Sequence, residues 1–235
     1  MVNRIVVLIV LLANFIAYGQ DIHWSQFNDN PIFQNPANTG EFNGDTRFIG
    51  NFRDQWRSVS VPFQTFNVCV DRKAKHFNYG LLMFHDQAGD GKLKTIDAMV
   101  TLSKTFKLSS DSLHIITGGI NLGINHRQVN TDAFYFDSQY NGYIFNPLLP
   151  TNETFQTDRK TNANIGLGAQ YGWNISSRHY LKIGLSAFNL NQPNQGFYQD
   201  VIKRDLRWVW QVNTVKHSMR VGISCLHCNI QNREH

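Results

Sequence analysis

The sequence predicts an all-β fold, a transmembrane antiparallel β-barrel, on three observations. An export signal opens the chain, long stretches alternate apolar and polar residues, and the polar parity is Gly, Asn, Thr and Gln more than Lys and Glu. From Asn162 to Asn174 one parity holds Asn162, Asn164, Gly166, Gly168, Gln170, Gly172 and Asn174. The other holds Ala163, Ile165, Leu167, Ala169, Tyr171 and Trp173. Period-two alternation marks a strand with two unlike faces, and this one outruns the about five or six residues of an ordinary globular strand.

Residues 1–19 carry Arg4, an apolar run Ile5–Ile16 interrupted only by Asn14, and Ala17-Tyr18-Gly19 with small residues at the outer two positions. This is the layout of a cleavable secretory signal, with Gln20 as the first mature residue. The apolar run is too short to anchor the chain, since a spanning helix needs about 20 residues. No cysteine follows the cleavage position, which disfavours a lipoprotein.

Other stretches repeat the alternation. Ile116, Gly118, Ile120, Leu122 and Ile124 oppose Thr117, Gly119, Asn121, Gly123 and Asn125; Ile96, Ala98, Val100 and Leu102 oppose Asp97, Met99, Thr101 and Ser103. Leu181, Ile183, Leu185 and Ala187 oppose Lys182, Gly184 and Ser186. Weaker strands are expected over Arg47–Trp56, Phe63–Asp71, Phe77–Asp86, Leu206–Asn213 and Arg220–Cys225. A soluble sandwich would bury the apolar parity against a second sheet. A membrane barrel turns it to lipid and lines a lumen with the small polar parity. Export, strand length and the Gly/Asn face favour the barrel, with Tyr171, Trp173 and Tyr180 at an interfacial girdle.

Gln87–Gly91 and Asn174–Arg178 are short hairpin links. Residues 130–159 form a long link holding Phe134, Tyr135, Phe136, Tyr140, Tyr143, Phe145 and Phe155. Such a loop is either a packed lid or a surface that binds a partner.

Several function classes lose support. The formal charge of +5 comes from scattered Lys and Arg, without the basic cluster of a nucleic-acid reader. The DQAGDGKL stretch is a poor calcium loop, because Ala88 takes a ligand position and Asp97 replaces the usual Glu. Cys69 stands alone, and Cys225 and Cys228 lack the partners of a zinc site. No GxSxG, HExxH or P-loop appears, so neither an enzyme nor a cofactor is expected.

The blocks HWSQFNDNPIFQNPANTG (His23–Gly40), NFRDQWRSVSVPFQTF (Asn51–Phe66), HDQAGDGKL (His85–Leu93), FYFDSQYNGYIFNP (Phe134–Pro147) and GLSAFNLNQPNQGF (Gly184–Phe197) resemble, in order, the signature blocks of the PorP/SprF family. The resemblance implies an outer-membrane protein of the type IX secretion system of Gram-negative bacteria, including those with gliding motility. It implies a FadL-like barrel with an N-terminal plug, no enzymatic activity and two partners besides lipid. These are the secretion machinery and an exported protein with a type B C-terminal signal domain. Alternatives from other classes are a FadL-like channel for small hydrophobic ligands and a soluble secreted β-sandwich adhesion module.

On this reading residues 20–44 form the plug-like segment and 45–235 a partial barrel. Two Asn-Pro pairs make the segment turn repeatedly, and its Asn side chains can satisfy buried backbone groups. Asn35-Pro36-Ala37 also resembles the NPA element of FadL-type plugs. His23, Ser25, Gln26, Asn35, Pro36 and Ala37 are expected against the lumen wall near Arg53, Gln55 and Trp56; the alternative is an arm that caps the barrel from the periplasm. Phe134, Tyr135, Phe136, Tyr140, Tyr143 and Phe145 are expected to meet the partner. Beyond Phe197 the resemblance fades, about nine strands are counted where a closed barrel needs an even number, and the last residues lack an aromatic strand. A C-terminally truncated barrel is therefore expected.

Overall fold

Every stretch with clear alternation is a strand. The structure, a computed structural model, describes residues 29–58, 61–89, 92–153, 155–176, 179–198, 201–216 and 219–223. Its strands are β1 (Thr46–Gln55), β2 (Phe63–Arg72), β3 (Asn78–Ala88), β4 (Leu93–Lys107), β5 (His114–Gln128), β6 (Arg159–Ser176), β7 (His179–Phe188), β8 (Arg207–Lys216) and β9 (Met219–Ile223). They form one sheet in chain order, each antiparallel to the next, with β1 and β9 at its two edges. The longest, β6, has 18 residues, enough to cross a bilayer at a tilt.

The sheet is inside-out relative to a soluble protein. Asn67 and Asp71 on β2, Asp97 and Thr101 on β4, Asn121 and Asn125 on β5, and Asn164 and Gln170 on β6 are buried. On the other parity Phe48, Phe52, Val100, Leu122, Ile124, Leu167 and Trp210 are exposed. A sandwich would reverse this distribution, so the sandwich alternative fails on burial. At one margin Lys104 lies over the rings of Phe77 (4.7 Å) and Phe106 (5.3 Å). That arrangement suits an aliphatic stem in lipid with its ammonium at the headgroups. Among the described residues no helix is long and apolar enough to cross a membrane. Leu122→Arg on the outer face is expected to destabilise the folded protein in bilayers by about 2–4 kcal/mol, read from its urea midpoint.

The sheet curls. In a flat sheet β1 and β8 would stand about 34 Å apart at ~4.8 Å per strand. Yet the Asn38 carbonyl accepts from Arg47 Nη2 on β1 at 3.2 Å, and its side-chain amide donates to Gln211 on β8 at 3.3 Å. One residue reaches both only if the strands wrap around it.

Hairpin parity sorts the connections. The β1–β2, β3–β4, β5–β6 and β7–β8 links share one end, and the remaining links share the other. The long loop and the 189–206 connection therefore lie together. The Gln87–Gly91 link sits at that same end, whereas Asn174–Arg178 lies at the opposite, short-turn end with the β2–β3 and β4–β5 links. Tyr180 corrects the expected girdle. On β7 the even-numbered residues face inward, and Tyr180 lines the interior with Lys182.

Candidate functional site

The interior of the curl is occupied by the chain's own residues. Pro31–Gln34 form a single helical turn, α1, and Pro36–Asn38 a 3-10 turn, each with proline in its first turn, where no N–H is needed. Asn35 between them is extended and its side chain accepts from Ala37 N at 2.9 Å, capping the second turn. Residues that cannot form a strand thus make two successive turns.

Its polar groups are met by the wall. Asn35 Nδ2 donates to the carbonyls of Ala169 (3.2 Å) and Leu185 (3.4 Å). Gln170 Nε2 donates to Ala37 O at 3.2 Å, and Ser186 Oγ to Gln34 O at 2.6 Å. Thr39 Oγ1 pairs with Thr101 Oγ1 at 3.0 Å, and the Thr39 carbonyl accepts from Ser103 Oγ at 2.7 Å. Gly119 and Gly168 allow the approach. A Cβ on Gly119 would stand 2.4 Å from Ala37 N, and one on Gly168 2.0 Å from Asn35 Oδ1. The inner-face glycines therefore leave room for this segment.

Charged pairs fasten its lower end. Arg47 donates to both Asp71 oxygens, at 2.9 and 2.7 Å, while Asp71 Oδ2 also accepts from Gly40 N at 2.7 Å. Gly40 turns there with φ +74°, a conformation that suits glycine. Lys182 Nζ lies 2.7 Å from Glu41 Oε2. At the upper end Arg207 is sandwiched between Phe33 (3.9 Å) and Phe188 (4.1 Å) and donates to Phe33 O. Ile32 and Phe33 complete a small apolar core with Cys69, Leu82, Phe84 and Met99. Beside the segment, at the short-turn end, a cavity of about 1130 Å³ opens between Arg47, Lys182 and Gln211.

The long loop is folded on itself. Tyr135 and Phe145 meet edge-on at 4.8 Å, as do Phe134 and Phe136 at 6.2 Å, and Tyr140 lies tilted against Phe145 at 5.4 Å. Ser138 Oγ donates to Thr151 O at 2.6 Å, and Gln139 Nε2 to Leu149 O at 3.3 Å. Two 3-10 turns, Thr131–Ala133 and Asp137–Gln139, shape its rising limb. The tip remains in solvent, with Tyr143 96 % exposed, Leu148 91 % and Ile144 68 %. At the loop base, hydrogen bonds from Arg159 hold the Asp158 carboxyl below its usual range.

A sheet with lipid-type residues outside and a filled polar interior agrees with the sequence comparison. A family model described as type IX secretion system membrane protein PorP/SprF matches residues 16–224. The chain belongs to the PorP/SprF family. No curated protein and no solved structure matches it. The family match runs past Phe197, where the resemblance was expected to fade, and takes in β8 and β9. PorP/SprF proteins are membrane components of a secretion system rather than a known enzyme family.

Of the site residues expected from sequence, Asn35, Pro36 and Ala37 lie buried in the interior of this PorP/SprF sheet. His23, Ser25 and Gln26 fall outside the described residues. Arg53, Gln55 and Trp56 lie at the long-loop end of β1. Arg53 Nη2 donates to Gln55 Oε1 at 2.8 Å, and exposed Trp56 stacks edge-on against Phe63 at 5.1 Å. On β1, Arg47 donates to the segment at the Asn38 carbonyl, and Ile49 packs against the core that holds Ile32 and Phe33. Sequence reasoning missed Arg47, Asp71, Gln170, Lys182 and Gln211, although a charged or amide side chain on the inner parity of a membrane strand is itself a signal. Among the described residues no group of three or more His, Cys, Asp or Glu is placed to hold a metal.

Proposed function

We propose that this protein works in the outer membrane, after cleavage of its signal at residue 19, as the type IX component that delivers or holds a cognate exported protein at the cell surface. Residues 20–44 act as a plug that keeps the lumen shut. The loop over 130–159 is the docking surface for the exported protein, recognised through its type B C-terminal signal domain. The observation that carries this reading is the contrast within the loop. Tyr135, Tyr140 and Phe145 hold it in one shape, while Tyr143, Ile144 and Leu148 stay in water. A preorganised loop with an apolar tip gains by burying that tip against a partner.

The hydrophobic-ligand channel has less support. The inward apolar side chains Leu82, Phe84 and Met99 are already packed against Ile32 and Phe33 of the chain's own segment, and elsewhere the inner face is Asn121, Asn125, Asn164 and Gln170. Replacing Tyr143, Ile144 and Leu148 together by Ser is expected to release the exported protein from the cell surface into the medium while the heat-modifiable folded band remains. Full surface retention with that triple change would overturn the docking role.

A further inference from the structure

The connection between β7 and β8 folds inward. Residues 193–198 and 201–204 pair as the two limbs of a small hairpin, with an antiparallel bridge between Asn194 and Lys203, Gln195 N donating to Ile202 O at 2.7 Å and Arg204 N to Pro193 O at 2.9 Å. Its contacts fall on the inner parity of three strands beyond its own root. On β6, Asn162 Nδ2 donates to Asn194 O and Lys160 Nζ to Gly196 O, both at 3.0 Å. On β5, Arg127 Nη1 donates to Gln195 Oε1 at 2.8 Å. On β4, Asp97 faces Arg204 at 3.5 Å and accepts from Asn125 Nδ2 at 2.5 Å. A hairpin rooted on β7 and β8 that touches the inner faces of β6, β5 and β4 crosses the lumen at the long-loop end.

We propose that the two limbs, residues 193–198 and 201–204, are a lid over that mouth, latched by Arg204 on Asp97 and by Arg127 on Gln195. The lid is a second barrier, separate from the segment at 29–41, and does not rest on the docking role of the long loop. Its fastening is suited to opening. Apart from the Phe197 ring beneath Arg127 at 5.5 Å, the contacts with the wall are hydrogen bonds and an ion pair, while Val201 and Ile202 are exposed, so little apolar area is lost when the hairpin swings away. An ion pair taken out of water also gains little over its hydrated, separated partners. The lid is tied to the long loop as well, through the Phe155 and Tyr198 rings at 4.7 Å and Gln156 N donating to Phe197 O at 3.1 Å. Movement of the loop would therefore pull on the lid.

The test is thiol labelling in intact cells. Asn164→Cys puts a probe on β6 just below the lid, at a residue only 4 % exposed, in a chain also carrying Cys225→Ser and Cys228→Ser. A membrane-impermeant charged maleimide is added from outside. With the latch intact, labelling should be slow, and Arg204→Gln should raise its rate about tenfold or more, whereas Arg204→Lys, which keeps the charge, should stay near the parent. Fast labelling of the parent, or no rise in folded Arg204→Gln, would overturn the lid. If Arg204→Gln yields no heat-modifiable folded band, Asn162→Ala decides, because it removes a separate pin; an unchanged rate there overturns the proposal too.

Discussion

Gly119→Val is expected to expel the 29–41 segment from the interior, while Gly118→Val, one residue away, is expected to leave the protein as it was. A Cβ on Gly119 would meet Ala37 N and Pro36 C at 2.4 Å, whereas a Cβ on Gly118 meets nothing within 4 Å. The Gly119 clash is with backbone, which no rotamer change relieves. Overpacking of this kind costs about 1–3 kcal/mol when neighbours can shift, and here the relief is displacement of the segment. The readouts are ion conductance of the reconstituted protein and the temperature at which its folded band is lost. A Gly119→Val protein as closed and as heat-resistant as Gly118→Val would refute both the packing and the plug.

The second large effect is at Asp71. Asp71→Ala removes the partner of Arg47 and the acceptor of Gly40 N in one step, at a side chain with no solvent exposure. Breaking a buried pair from one side leaves an uncompensated charge, and the expected loss is about 3 kcal/mol. Arg47 is partly exposed, which keeps the figure at the low end of such losses. Asp54→Ala removes the ion pair with Arg57, whose side chain is mostly in water, and should cost less than about 1 kcal/mol. Urea midpoints of the two variants in bilayers check the difference; equal midpoints would mean that Asp71 does not fasten the segment.

The strands were legible because a strand in a bilayer must present one parity to lipid and the other to the interior, and that demand is written residue by residue. Asn162–Asn174 and Ile116–Asn125 needed nothing more. Their ends were less so: β6 runs on to Arg159 and Ser176 because pairing with β5 and β7, not local pattern, decides where a strand stops. The bent character of 29–41 was legible from two prolines, each of which removes a ladder donor. Its partners were not, because Arg47 and Asp71 are near Gly40 only after the sheet curls. The fastening of the segment's foot at Arg47 was not legible either, because order along the chain carries no information about which end of β1 faces it.

The connection at 189–206 shows the same limit more sharply. In sequence it is an Asn- and Gln-rich link, and nothing in NLNQPNQGFYQDVIKRDL marks Gln195 or Arg204 as residues that reach Arg127 and Asp97. Those contacts arise because inner-face positions on strands far apart in the chain converge around one axis. Taken alone, the sequence determined the fold class, the strand parities, the turning segment and the exposed aromatic loop, since each follows from local residue chemistry meeting lipid or water. Only the tertiary structure decided what fills the interior, which charges fasten it and what crosses its mouth, because curling brings β1 and β8 to a single residue, Asn38, and no local pattern encodes that distance.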